Sequence, residues 1–460
     1  MGTDRELELA FSSGRTGSGP ATWGQHDKWT AMRALGDEAN RYNIAGGMPL
    51  STPLTVERLA GIVQELLLLH DSLRTRLRAT GDIADRDPDG PPRQNGGLEQ
   101  TAYAAGAVPV VARASEPDAV NPTAFALHDD LRARAFDCEH EWPLRLGIVE
   151  SEGYVRYVIF CLPHTATDGW GLRNLLGDFA SLVAGGSPTR GERLQPLEEA
   201  AFQHSERGRR MDVAARHSWR EKLGRGPARL FPVHPERAPA ETFPFAVLTS
   251  PALALAVEQV GSGLAVNPAA VLLAAAAAAA GRVSGVHDAV FQITVNNRFV
   301  PGLGNGVNTI AQEGLFHLRN TDDEFRQVVR RSFGATLSAQ RNAYYDKFAL
   351  DRDLAGLAAT GAPGDLSCVI NDVRGMLPGV FPKPVPAPLD ALRAQTTLQW
   401  PDEFPPRERT TFAMDVQDAA GAVELAMTAD TALIPRPDME RFLLDIEDLV
   451  VGQALALDRD

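Results

Sequence analysis

The sequence predicts a mixed α/β protein of two domains, with helices layered on sheets. Three observations carry that expectation. The chain of 460 residues exceeds the size at which one hydrophobic core keeps growing. Segments with apolar residues at helical spacing are interspersed with segments of strand-like alternation. A break rich in small residues, Ala184-Gly185-Gly186-Ser187-Pro188, follows an amphipathic segment and places the domains at 1–186 and 187–460.

The elements follow in order. Thr55 can cap a helix in which Val56, Leu59, Val63, Leu66 and Leu67 recur at helical spacing, ending near His70. Leu73-Arg74-Thr75-Arg76-Leu77 then alternates as a strand, and Gly81 to Gly97, rich in Asp, Pro and Gly, reads as a mobile surface loop. Val108 to Ala112 is a short strand and Thr123 to Ala135 a helix. Leu144 to Val149 and Tyr154 to Leu162 read as paired strands around a Glu152-Gly153 turn, before a helix over Gly171 to Val183. In the second half, Asn267 can cap the helix holding the alanine run, and Ala289 to Val295 is a buried strand. Asn305 to Leu318 passes through glycines into another strand, and Cys368 to Val373 reads as a strand end. A proline-rich crossing runs from Leu377 to Pro388, and the last helix from Arg436 to about Gly452.

Composition narrows the function classes. Hydrophobic and charged fractions of 44% and 23% are those of an ordinary globular chain. A formal net charge of −14 gives no support to nucleic-acid or membrane binding. Cys138, Cys161 and Cys368 lie far apart, which argues against a disulfide framework or zinc ribbon and fits a reducing compartment. No basic segment followed by an apolar core opens the chain, so a cytoplasmic location is expected. The run Ala269 to Ala280 is too short and too alanine-rich to span a bilayer, and is expected to be a buried helix.

The sharpest chemical feature is Leu162-Pro163-His164-Thr165-Ala166-Thr167-Asp168-Gly169-Trp170-Gly171. An apolar strand ends, His and Asp follow four apart, a glycine permits a tight turn, and a helix begins. Imidazole exchanges protons near neutral pH, and loops at strand ends commonly display reactive groups. Asp168 could orient the imidazole or hold the loop by pairing with an arginine. Read from these residues alone, a structural turn, a catalytic pair and a metal site all stay open. A metal would need further ligands, and no second cluster at ligand spacing stands out. No Gly-x-Ser-x-Gly elbow and no phosphate-cradling Gly-x-x-x-x-Gly-Lys loop occurs.

The segment Pro163-His164-Thr165-Ala166-Thr167-Asp168-Gly169-Trp170 resembles the His-His-x-x-x-Asp-Gly-Trp signature of nonribosomal peptide synthetase condensation domains, a branch of the chloramphenicol-acetyltransferase-like superfamily. Other segments match the family in order. Thr22-Trp23-Gly24-Gln25 with Trp29 resembles its opening helix, and His70-Asp71-Ser72-Leu73-Arg74-Thr75-Arg76-Leu77 its His-Glu-x-Leu-Arg-Thr segment. Pro143-Leu144-Arg145 resembles the strand leading to the site, and Ser218-Trp219-Arg220-Glu221-Lys222-Leu223 the element opening the second lobe. Thr294-Val295-Asn296-Asn297-Arg298, with Asn308 and Gly314-Leu315-Phe316, resembles its arginine-bearing strand and the turn that follows. Asp430-Thr431-Ala432-Leu433-Ile434 resembles its C-terminal element.

The resemblance implies two chloramphenicol-acetyltransferase-like lobes in a V-shaped pseudo-dimer, with an active-site tunnel between them. It implies that His164 removes the acceptor's proton or positions the acceptor and stabilises charge. Asp168 is expected to pair with Arg298, and the Gly169 amide to lie near the reacting carbonyl. Pro163 departs from the pattern, standing where the family usually has its first His. Trp170 either lines the acyl channel or packs internally, and Asn371 either faces the tunnel or closes a strand end. Arg74 and Arg145 are expected to pin structure. The basic run with Arg207, Arg210 and Arg220 is either a solvated helix face or a docking surface for an acidic carrier protein.

The implied activity is a free-standing condensation enzyme of secondary metabolism, such as antibiotic biosynthesis. It joins an acyl or aminoacyl thioester on a carrier protein to an amine or alcohol, small or carrier-bound. No bound cofactor or metal is expected; the phosphopantetheine belongs to the donor carrier. The alternatives are an acyl-CoA-dependent acyltransferase, or an inactive condensation-like domain that recruits a carrier or tailoring enzyme.

Overall fold

The computed structural model describes residues 4–12, 15–80, 97–233, 240–359, 364–376, 380–407 and 409–458. The chain forms two compact units. One comprises Met1–Met211, Asn296–Ala311 and Asp346–Arg352; the other Asp212–Val295, Gln312–Tyr345 and Asp353–Asp460.

The first unit opens with β1 (Arg5–Ser12), β2 (Gly17–Pro20), α1 (Trp23–Leu35), β3 (Asn43–Leu54), α2 (Val56–Leu69) and β4 (Thr75–Thr80). It continues through β5 (Gly97–Ala102), β6 (Ala105–Ala114), α3 (Val120–Arg132), β7 (Arg145–Ser151), β8 (Tyr154–Pro163), α4 (Gly169–Val183) and α5 (Pro196–His204). One sheet runs β1-β6-β7-β8-β3 and a second β2-β5-β4. Helices α2 and α4 bury Leu59, Ile62, Leu66, Leu175 and Phe179 against Ile148, Val158 and Phe160 of the larger sheet. Thr55 caps α2 as expected, its hydroxyl accepting from the Arg58 amide at 3.2 Å. The β7–β8 hairpin turns at Glu152 and Gly153, both with positive φ (53° and 79°), as a tight two-residue turn requires.

Two expectations need correction here. The strand expected from Leu73 begins at Thr75, because Asp71–Arg74 forms a helical turn. Arg74 is fully buried there and donates to the carbonyls of Leu67, Arg15 and Tyr103. The break at 186/187 is the stop of α4 rather than a linker: Gly185 adopts φ 75°, and the Gly185 and Gly186 amides cap the carbonyls of Leu182 and Ser181. Residues 187–211 stay with the first unit. The Thr189 amide donates to Asp178, the Asp71 amide to Gln195, and the Trp23 amide to Gln203. The expected loop from Gly81 lies outside the described residues up to 96, and Gly97 begins β5.

The division falls within α6 (Glu206–Arg225). The second unit holds β9 (Phe243–Ser250), α7 (Pro251–Leu264), α8 (Pro268–Ser284), β10 (Asp288–Val295), β11 (Gln312–Arg319), α9 (Phe325–Arg341) and α10 (Lys347–Ala359), the last beginning in the first unit. It ends with β12 (Cys368–Asp372), α11 (Leu389–Arg393), β13 (Thr397–Phe404), β14 (Phe412–Ala419), β15 (Ala422–Ala429) and α12 (Arg436–Leu457). Its sheet runs β11-β10-β12-β14-β15-β9-β13. Asn267 caps α8, accepting from the Ala270 amide at 2.7 Å. From Ala270 onward the alanines of α8 are buried, and their small side chains let α9 and α12 pack close. Among the described residues, no single helix is long and apolar enough to cross a membrane.

Candidate active site

The His164–Asp168 loop and the residues that hold it lie within the first unit. Strand β8 delivers the chain at Pro163, where the missing amide breaks nothing. The His164 amide donates across to Tyr42 O at 2.9 Å, so its neighbour faces the other way, towards β7. But β7 begins at Arg145, opposite Cys161, so no strand acceptor waits opposite residue 163. Pro163→Ala is therefore expected to change the melting temperature by no more than about 2 °C, because no ladder bond is gained. A thermal melt checks it.

The turn then closes on itself. The Ala166 amide donates to Pro163 O at 2.9 Å, and His164 Nδ1 lies 3.0 Å from the Thr167 carbonyl oxygen. A carbonyl only accepts, so Nδ1 carries the proton and the lone pair is left on Nε2. The Thr309 hydroxyl, 3.4 Å from the same Nδ1, flanks it, and the Tyr42 ring stands 5.8 Å away between centroids. Burial pushes the imidazole below the ordinary histidine value, and the Lys28 ammonium pushes it further; Asp168 only partly offsets them. His164 is thus held with its proton on Nδ1, and burial favours the uncharged ring.

Asp168 does not orient His164. It caps α4 and is 1% exposed. Oδ1 accepts from the Gly171 amide at 2.7 Å and from Arg298 Nη2 at 2.8 Å. Oδ2 accepts from the Ile310 and Ala311 amides at 2.8 and 2.9 Å, and from Arg298 Nη1 at 3.1 Å. Burial alone would raise its carboxyl, but Arg298 and the two amides outweigh that and hold it below the usual carboxylate range. Arg298 also donates to the carbonyls of Asn296, Gly306 and Asn308. Of the two readings open to Asp168, the loop-holding one is found: the carboxylate ties segment 296–311 to the start of α4.

Two glycines let that segment approach. A methyl group on Gly24 of α1 would stand 2.2 Å from the Thr309 carbonyl oxygen, and one on Gly171 2.3 Å from that of Val307. Gly24→Ala is expected to destabilise the protein by about 1–3 kcal/mol, since backbone must move. A lowered melting temperature together with lost turnover checks it.

The remaining expected residues separate. Gly169 is the first residue of α4, where helix amides lack an intrahelical partner. Trp170 is half-buried with the Arg173 guanidinium 5.2 Å from its ring centre. Asn371 belongs to the second unit, where it donates to Asp415 at 2.9 Å. Arg145 packs on Phe136, donates to the carbonyls of Leu131, Arg134 and Ala135, and pairs with Glu141. On α6, Arg210 pairs with Glu206, Arg220 lies 4.0 Å from Asp353, and Arg207 sits over Phe202. Among the described residues, no three His, Cys, Asp or Glu side chains gather as a metal site would need. Sequence reading missed Thr309, the Ile310 and Ala311 amides, and Lys28.

The Condensation domain family model matches residues 20–356, and the chain belongs to that family. Solved structures share the two-lobe, chloramphenicol-acetyltransferase-like α/β fold expected from the resemblance. A condensation domain mediating chain release from the enacyloxin polyketide synthase superposes with a TM-score of 0.69 at 15% identity, covering 95% of this chain and 83% of that one. The condensation domain of the monacolin K polyketide synthase MokA gives 0.68 at 15% identity, covering 95% and 98%. The epimerization domain from the third module of tyrocidine synthetase B gives 0.64 at 10% identity, covering 96% and 97%. Among curated proteins, none matched.

Proposed function

We propose that this protein is an acyltransferase that joins a carrier-bound acyl or aminoacyl thioester to an amine or alcohol acceptor. The observation that carries the reading is His164, held with its proton on Nδ1 and its Nε2 lone pair free to act. A thioester is already activated, so no covalent enzyme intermediate is needed; alignment, one proton and charge stabilisation suffice. The acceptor nitrogen or oxygen attacks the thioester carbonyl while Nε2 takes its proton. The tetrahedral oxyanion forms close to the Gly169 amide. Its collapse expels the pantetheine thiolate, which recovers the proton from His164, and an amide or ester leaves. The phosphopantetheine arrives on an acyl- or peptidyl-carrier protein and is no part of this chain. A surface such as Arg207, Arg210 and Arg220 would meet that acidic partner.

The test is incubation with a carrier loaded with a panel of acyl groups and pooled amines and alcohols. Mass spectrometry follows both the carrier and the joined product. Acceptor-dependent unloading supports the proposal. Equal use of acyl-CoA would favour a CoA-dependent acyltransferase, and carrier binding without turnover a recruiting domain. Under the proposal, kcat/KM falls as pH drops through the His164 pKa, because protonation removes the base. That acid limb is expected below the ordinary histidine value, since burial and Lys28 depress it. A pH profile of kcat/KM reads it directly.

A further inference from the structure

Helix α5 turns Glu199 and Gln203 inward, each only 1% exposed. Four residues apart, they lie on one face of the helix and form a single relay. The Trp23 amide, in the first turn of α1, donates to Gln203 Oε1 at 2.9 Å. Gln203 Nε2 donates to Glu199 Oε1 at 3.2 Å, and Asn308 Nδ2 donates to Glu199 Oε2 at 2.8 Å. The same Asn308 nitrogen donates to the Leu194 carbonyl at 3.0 Å. All of these residues belong to the first unit.

The two ends of the relay fix the direction of every bond in it. A backbone amide only donates, so Gln203 meets Trp23 with its oxygen and Glu199 with its nitrogen. A carbonyl only accepts, so Asn308 meets Leu194 with its nitrogen, and the same group reaches Glu199. Two donors therefore converge on Glu199, one on each oxygen. A carboxylate accepts both; an amide of the same shape accepts one and sets an N–H against the other. Turning the Gln203 amide over only moves the clash of donors to Trp23. Burying a carboxylate is costly unless such bonds offset it, so this position calls for glutamate for a reason of geometry.

Asn308 directly precedes the three residues that serve the His164 turn. The Thr309 hydroxyl flanks His164 Nδ1 at 3.4 Å, and the Ile310 and Ala311 amides donate to Asp168 Oδ2 at 2.8 and 2.9 Å. Arg298 holds the Asn308 carbonyl, while its side chain goes to α5 and Leu194. We propose that Glu199 is a positioning residue for His164. By tying the Asn308 side chain to α5, it fixes residues 309–311, and with them the hydroxyl beside Nδ1 and the two amides on Asp168.

The inference rests on the acyl-transfer reading, and its test separates the two. Glu199→Gln is expected to lower kcat about 10–100-fold, the scale of a reacting group displaced by about 1 Å, with KM for the loaded carrier unchanged. Asn308→Ala cuts the same link without setting two donors together, and is expected to behave alike. In the exchange Glu199→Gln with Gln203→Glu, the introduced carboxylate accepts from Trp23 and from the introduced amide, whose oxygen accepts from Asn308. Every bond of the relay returns, and kcat with it. In parallel, histidine side chains are labelled with ¹⁵N, His164 is assigned by its loss in His164→Gln, and its Nδ1 resonance is followed at fixed pH. The resonance shifts in both single variants and returns in the exchange. An unmoved resonance in the folded single variants, a loss borne by KM alone, or a folded exchange that restores neither resonance nor rate overturns the inference. A resonance that moves and is restored, in a protein that turns over no carrier-bound acyl group, upholds the positioning and sinks the acyl-transfer reading instead.

Discussion

Replacing His164 with alanine lowers the rate of acyl transfer by about 10²–10⁴-fold, the range expected when a positioned general base is lost. The expected loss is in turnover and not in folding. Beside the Tyr42 ring, the His164 side chain meets the Thr167 carbonyl and the flanking Thr309 hydroxyl, and none of these closes the loop. The loop is closed by backbone: the His164 amide to Tyr42 and the Ala166 amide to Pro163. Single-turnover rates with acyl-loaded carrier, beside thermal melts, separate the two effects. The acid limb of the pH profile should vanish in the mutant while residual turnover persists. A variant within tenfold of wild type that keeps its acid limb would mean the base is elsewhere.

Arg298→Ala is the substitution with the largest expected effect on stability, about 3–5 kcal/mol. It leaves Asp168 buried and charged, with three amides but no cation. It also strips the carbonyls of Gly306 and Asn308 of a donor, so the whole 296–311 segment loosens. The pH dependence has a definite sign. Asp168 has a folded pKa below its unfolded one, so its contribution is complete above the unfolded value. It is lost as pH falls through the depressed folded value. Arg298→Ala should flatten that acid-side slope. Melting temperatures of both proteins from neutral to acidic pH measure it; parallel curves would count against the pairing as the source.

Much of this was legible because it is written in local pattern. The cap at Thr55, the Glu152-Gly153 turn, the alanine helix capped by Asn267 and the His164–Asp168 loop all declare themselves within a few residues. The pairing of Asp168 with Arg298 came from the resemblance, since nothing local links two residues so far apart. Strand β3 escaped because Gly46, Gly47 and Pro49 break any strand signal; it lies at the sheet edge beside β8, where such residues are tolerated. The amides of Ile310 and Ala311 have no side-chain signature at all. Gly24 and Gly171 carried a readable hint, since glycine within a helix commonly marks close backbone approach. Nothing in the local sequence marks Lys28 as buried, because burial is decided by what arrives from far along the chain.

The ion pair that fixes the His164 loop joins residues 130 apart in sequence. Residues 212–295, all of them belonging to the second unit, lie between its two members. During synthesis, therefore, the carboxylate of Asp168 leaves the ribosome long before its counter-ion exists. At about 5–20 residues per second, that wait lasts roughly 6–26 s. Residues 296–311 must then thread back to a unit most of whose chain was made earlier. The His164 turn is translated well before the segment that fixes it, and can be set in place only after that segment returns.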